Sequence, residues 1–172
     1  LNTQQHIDWR RAVFNRRMLI CVFTGFVSGL PLLLLIHMVP AWLTDAGGSL
    51  TEIALFSLIG IPYTWKFIWA PIMDRYVPPF LGRRRGWMLV SQLTLFIAIG
   101  VMGGFGPAHS LSLIALLALL VAFLSASQDI ALDAYRREIL QDSELGLGNS
   151  IHVTAYRVAV LVPGSLGLIL AD

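Results

Sequence analysis

Three ionisable residues stand where such residues are costly. Lys66, Asp129 and Arg157 each lie inside a long apolar stretch of the chain. By helical rise, Lys66 is about 12 Å before Asp74, Asp129 about 10 Å before Arg136 and Arg157 about 13 Å after Gly148. Read as helices, three separate stretches therefore carry charge in one layer. Isolated charges in hydrocarbon are unfavourable, so pairing around a wet cavity is the least costly arrangement. One carboxylate against two cations leaves surplus positive charge, which an anionic solute would neutralise. The expectation is that Lys66, Gln128, Asp129 and Arg157 converge on a cavity for substrate and proton coupling. The plainer alternative is a structural ion pair of Asp129 with either cation.

A second constellation lies near the ends of the same stretches. Asp129 and Asp133 are four residues apart and share a helix face, as do Asp133 and Arg137. Asp74 and Arg75 close another apolar stretch; Asp133 is the leading partner expected for Arg75, and its plainer role is a salt bridge to Arg75, Arg136 or Arg137. This predicts an ion-pair relay of Asp74, Arg75, Asp133 and Arg137. Arg83, Arg84 and Arg85 follow Gly82; they read either as part of that relay's loop or as an anchor touching anionic lipid. Gly25 and Gly29 form G-x-x-x-G, the spacing of closely packed helices. His37 reads as a satisfied histidine or as a proton relay. Cys21 is alone, and His6, His109 and His152 have no metal-ligand spacing, so no metal or cofactor is expected. Nothing resembles a phosphate loop, a nucleophile elbow or a nucleic-acid patch, and no enzyme activity is expected.

The elements that must position these groups are apolar helices. The chain of 172 residues is 56% hydrophobic and only 13% charged, against about a quarter charged in soluble domains, and its mean hydropathy is +0.74. The apolar residues fall in runs of roughly 20, the length of a bilayer-spanning helix, with no alternating barrel pattern. Five spans are expected, at about 19–40, 52–72, 87–105, 112–134 and 149–170, after an N-terminal segment over 1–17. Ser49 and Glu52 have capping-box spacing before the second. Pro78-Pro79, Gly106-Pro107 and Gly146/Gly148 punctuate later connections. Pro163-Gly164 would suit a flexing gate in the fifth.

Of the twelve Lys and Arg residues, ten cluster in three places: Arg10, Arg11, Arg16 and Arg17; Arg75 and Arg83 to Arg85; and Arg136 and Arg137. The connections from Leu43 to Thr51 and from Gly106 to Leu111 contain none. This alternation predicts a cytoplasmic N-terminus and two cytoplasmic basic loops. No cleavable signal peptide is evident.

The run Ala70-Pro-Ile-Met-Asp74-Arg75, followed by Gly82-Arg83-Arg84-Arg85, resembles the loop signature between helices 2 and 3 of the major facilitator superfamily, G-x-x-x-D-R/K-x-G-R/K-R/K. Ala70 replaces the first glycine, and residues 76–81 separate the two halves. Further stretches resemble one branch, the anhydromuropeptide permease family: Gly25-Phe-Val-Ser-Gly-Leu-Pro31, Phe56-Ser-Leu-Ile-Gly60, Lys66-Phe-Ile-Trp-Ala70, Gly86-Trp87, Ser125-Ala-Ser-Gln-Asp129, Asp133-Ala134 and Tyr156-Arg157. Together they touch every expected span.

The resemblance implies an all-α membrane protein forming part of the N-terminal six-helix bundle of a major facilitator carrier in the inner membrane. It implies proton-driven import of GlcNAc-anhydroMurNAc peptides, anionic glycopeptides, from periplasm to cytoplasm for cell-wall recycling and β-lactamase induction. It also implies that Asp74 and Arg75 join a relay biasing the inward-closed state. An odd number of spans with buried charges predicts a missing C-terminal half. The rival readings are a carrier of another anionic solute, such as an acyl-CoA or sugar conjugate, and a non-transporting scaffold. Intramembrane Lys66, Asp129 and Arg157 argue against the scaffold, because inert spans avoid such charges.

Overall fold

The computed structural model describes residues 14–45, 47, 56–105 and 111–171. Among them every regular element is helical. Helix α1 (Arg16–Leu33) starts at Asn15, whose side-chain oxygen accepts from the Arg17 N–H at 3.2 Å, an N-cap that satisfies an otherwise free donor. A π-helical turn (Leu34–Met38) joins it to α2 (Val39–Asp45). Pro31 and Pro40, which have no N–H to donate, bracket this turn. The continuous stretch Arg16–Thr44 is 29 residues long.

The stretch expected as one span over 52–72 is, from Phe56 on, a chain of short pieces. A 3₁₀ turn (Phe56–Ile59) leads into α3 (Gly60–Trp65), a second 3₁₀ turn (Lys66–Ile68) and α4 (Ala70–Arg75). Pro62 and Pro71 each remove a backbone donor from this stretch, and 3₁₀ bonding tightens the turns between the pieces. The Ser49–Glu52 cap and the Gly106–Pro107 turn lie outside the described residues.

Helix α5 (Arg83–Gly103), α6 (Leu111–Ile139) and α7 (Leu145–Ala171) follow. Helix α7 runs through Pro163 without ending there. Three described helices are long and apolar enough to cross a membrane: Arg16–Thr44, Arg83–Gly103 and Leu113–Ile139. Their outer faces show large apolar side chains, including Phe23 at 68% and Phe96 at 76% exposure. Water would disfavour such a surface; hydrocarbon does not.

Small residues set the packing. On α1, Cys21, Thr24, Gly25, Ser28 and Gly29 are buried at helical spacing. A methyl group at Gly25 would overlap the His152 carbonyl, and one at Gly29 would lie 2.9 Å from the Tyr156 carbonyl oxygen, so glycine at both positions lets α1 lie directly on the α7 backbone. On α6, Ala118, Ala122 and Ala126 are fully buried and let its neighbours approach. Leu95, Ala98 and Met102 of α5 meet Ile114, Ala118 and Val121 of α6 in the central core, which Leu35, Leu43 and Phe56 complete.

Candidate functional site

Helix α6 carries the densest polar run, Ser125 to Asp129. Successive residues point about 100° apart, so the run is distributed over several faces. Asp129 faces α1, where Ser28 Oγ donates to its Oδ1 at 2.5 Å. Gln128 faces α5, where its Nε2 donates to Gln92 Oε1 at 2.7 Å. Ser127 Oγ accepts from the Trp69 indole at 3.0 Å and donates to the Phe123 carbonyl.

One turn after Asp129, Asp133 lies between two cations. Lys66 Nζ is 3.6 Å from one carboxylate oxygen, and Arg136 Nη2 donates to the other at 2.9 Å. A cavity of about 470 Å³ opens here, lined by Ser28, Asp129, Asp133, Arg136, Tyr156 and Arg157 among others. Deeper between α1 and α7, His152 is buried with Nδ1 3.3 Å from Thr24 Oγ, and that hydroxyl donates to the Cys21 carbonyl.

Of the four residues expected to converge, the structure brings Asp129 and Arg157 to this cavity. Lys66 reaches its edge through Asp133. Gln128 is turned to α5, because it is one residue away from Asp129 on the helix. No ion pair joins Lys66, Asp129 and Arg157 to one another among the described residues; Asp129 is held by a hydroxyl instead.

The Arg-rich end carries a separate network. Asp74 pairs with Arg84, whose Nε donates to Glu138 Oε1 at 2.8 Å, and Arg83 lies 3.6 Å from the same carboxylate. The Arg85 guanidinium lies 5.8 Å from the Tyr135 ring centroid, within cation–π range. The loop presenting these arginines is fixed by the Trp87 indole, which donates to the Met73 and Tyr76 carbonyls at 3.0 and 2.8 Å. Gly82 has φ +76°, a conformation that favours glycine, and Gly86 packs against the Phe80 carbonyl and Pro78.

The expected pairing of Arg75 with Asp133 is not formed. Arg75 has no ion-pair partner among the described residues, and Lys66 and Arg136 occupy Asp133. Arg75 is exposed at the end of α4, one position away from Asp74. Arg136 is one turn from Asp133 on the same helix and pairs with it at little entropic cost. Arg137 is directed to Asp142 at 3.1 Å. A further link joins α1 to the connection before α7: Arg17 pairs with Glu144 at 2.8 Å. The Gln141 backbone N–H and the Arg17 guanidinium hold the Glu144 carboxyl below its ordinary pKa.

Ser28, Gln92, Arg136 and Glu138 were not legible as site residues in the sequence. Ser28 shares the G-x-x-x-G face, which is the one signal that pointed inward. Arg136 is legible only as one of three possible partners of Asp133, and Glu138 only as part of a basic loop.

Comparison with known proteins places these features in context. The family model described as Acetyl-coenzyme A transporter 1 matches residues 17–162. An uncharacterized protein of Haemophilus influenzae is 57% identical over 159 residues, covering 92% of this chain and 37% of that protein. The anhydromuropeptide permease of Escherichia coli K12 is 48% identical over 156 residues, covering 91% of this chain and 32% of the permease. A putative transporter, AmpG 3, of Rickettsia typhi is 36% identical over 148 residues, covering 83% of this chain and 35% of that protein. The chain spans about a third of the length of the curated relatives it matches.

Proposed function

Because the chain belongs to the membrane-transporter family described as Acetyl-coenzyme A transporter 1, with anhydromuropeptide permeases among its relatives, we propose that it works in a proton-coupled muropeptide carrier. In this reading the chain supplies five spans of the N-terminal six-helix bundle of a major facilitator type transporter in the inner membrane, with its N-terminus in the cytoplasm. The carrier imports GlcNAc-anhydroMurNAc peptides from the periplasm for cell-wall recycling, and its cargo feeds the signal for β-lactamase induction. The observation that carries the reading is the 48% identity to the Escherichia coli permease across 91% of this chain.

The geometry supports the same reading. Charged groups on α6 and α7 line one cavity with Ser28 of α1, and both α1 and α6 lie in stretches long and apolar enough to span a bilayer. Intramembrane ionisable groups that face a cavity mark ion and substrate pathways. Carriers of this kind hold cargo near the midplane and rock around it. Asp129 is the proton-exchanging group, Arg157 and Lys66 favour anionic cargo, and Gln128 braces α6 against α5. Asp74, Arg84 and Glu138, with Asp133 and Arg137, form the ion-pair rim that closes the basic end. Gly82 and Arg83 to Arg85 set the loop.

A second reading is favoured by the family description itself: a carrier of an acyl-CoA. Competition decides between them. Full-length carrier in proteoliposomes should take up labelled GlcNAc-anhydroMurNAc peptide saturably, and excess acetyl-CoA should leave that uptake unchanged. Saturable acetyl-CoA uptake without muropeptide uptake would replace the first reading with the second.

A further inference from the structure

We propose that Arg136, rather than serving as a loop anchor, is the residue that grips a carboxylate of the cargo. This rests on the carrier reading above and assigns the cavity's anion-binding group. Three observations carry it. The Arg136 side chain is only 16% exposed, well inside the fold for a residue in a basic run. Its Nη2 is committed to Asp133, whereas its Nη1 is buried with no hydrogen-bond partner among the described residues. It lines the same cavity as Arg157, which has no ion-pair partner among the described residues.

A buried guanidinium N–H without an acceptor is costly, and native proteins rarely leave one so. An acceptor arriving in the cavity removes that cost. The charge balance says which kind. Lys66, Arg136 and Arg157 face Asp129 and Asp133, three cations to two carboxylates, so one further negative charge neutralises the group. Arg136 lines the cavity and its planar fork is already oriented by Asp133, so a small turn of the guanidinium brings the free N–H to an acceptor there. Carboxylate geometry matches such a fork better than a point charge does. Asp133 is therefore a positioning residue for Arg136, and Lys66 balances Asp133 once Arg136 turns to cargo.

The test compares charge on the cargo with charge at residue 136. Full-length carrier in proteoliposomes is given labelled GlcNAc-anhydroMurNAc tetrapeptide, or the same molecule with its carboxylates converted to amides. A lost charge-assisted hydrogen bond should raise the wild-type KM for the amidated form about tenfold, with kcat little changed. Arg136→Gln should raise KM for the acidic form and shrink that preference to less than about threefold. Arg136→Lys keeps the charge and loses the fork, and should raise KM for the acidic form alone. Wild-type uptake that ignores amidation overturns the assignment, as does full preference in Arg136→Gln or unchanged KM in Arg136→Lys. Uptake of neither form by the wild type would instead overturn the carrier reading, and the assignment with it.

Discussion

Ser28 of α1 and Asp129 of α6, 101 residues apart, are joined by a 2.5 Å hydrogen bond from hydroxyl to carboxylate. A hydrogen bond to a charged group contributes about 1.5–3 kcal/mol. Ser28 lies on the buried face of α1, beside Gly25 and Gly29, which let α1 sit close to α7. Ser28→Ala should therefore leave membrane abundance near wild type and lower muropeptide uptake roughly tenfold or more. Uptake and immunoblot on the same membranes check both halves.

The glycines themselves make a contrasting pair of predictions. Alanine gains about 1 kcal/mol of helix propensity over glycine, but overpacking costs about 1–3 kcal/mol. At Gly25 the obstruction is the His152 carbonyl, part of the backbone, so it cannot swing aside. At Gly100 a methyl group meets nothing within 4 Å among the described residues. Gly25→Ala should lower the melting midpoint of detergent-purified carrier by several degrees, and Gly100→Ala should leave it equal or higher.

Acid sensitivity should report the Arg17–Glu144 link. The Glu144 carboxyl is held below its ordinary value of 4.5 by the Gln141 N–H and by Arg17. A depressed carboxylate contributes stability that is complete above 4.5 and is lost as pH falls through the lower, folded-state value. Wild type should thus lose part of its thermal stability below about pH 4.5. Glu144→Gln should be less stable at neutral pH and show a flatter acid limb. Parallel limbs in a melting series from pH 7 to pH 3 would contradict the link.

How much of this was legible in the sequence depends on the range of the interaction. The long apolar helices, the interruption at Pro78-Pro79 and the close approach at Gly25 and Gly29 follow from local composition and spacing, and the structure places α1, α5 and α6 where long apolar runs lie. Hydropathy predicts one span for the second stretch because it averages over Pro62 and Pro71, while the backbone responds to each. Partner choice was the hardest to read. Asp133 has four plausible cations nearby in sequence or depth, and only packing decides that Lys66 and Arg136 reach it while Arg75 does not. Adjacency in sequence groups Gln128 with Asp129, although adjacency on a helix separates side chains. Ser28 and Gln92 are uncharged and stand in apolar helices; only the G-x-x-x-G face marks Ser28, and nothing but its contact marks Gln92.

The Asp74–Arg84–Glu138 network gives a test of the rim. Exposed pairs contribute about 0–1 kcal/mol each, so their removal should scarcely move stability. Asp74→Asn and Glu138→Gln should each lower uptake several-fold, while the melting midpoint moves by at most a few degrees. The double variant should fall short of the product of the singles, because both act through Arg84. Independent, multiplicative losses would mean that Arg84 does not couple them.

Reporter fusions test the topology on which the import direction depends. Fusions at Leu81 and at Ala108 should report opposite sides of the membrane, with Leu81 in the cytoplasm. Both on one side would refute the alternating arrangement of basic loops.

The central claim is that the cavity around Asp129 couples cargo to protons, and proton movement measures it most directly. Proteoliposomes holding the full-length carrier, without an imposed gradient, are mixed with GlcNAc-anhydroMurNAc peptide in weakly buffered medium. The account predicts that the wild type alkalinises the outside as cargo enters, and that Asp129→Asn, inserted at equal density, gives no such signal and loses the pH dependence of uptake. Wild-type alkalinisation and wild-type pH dependence in Asp129→Asn would contradict it.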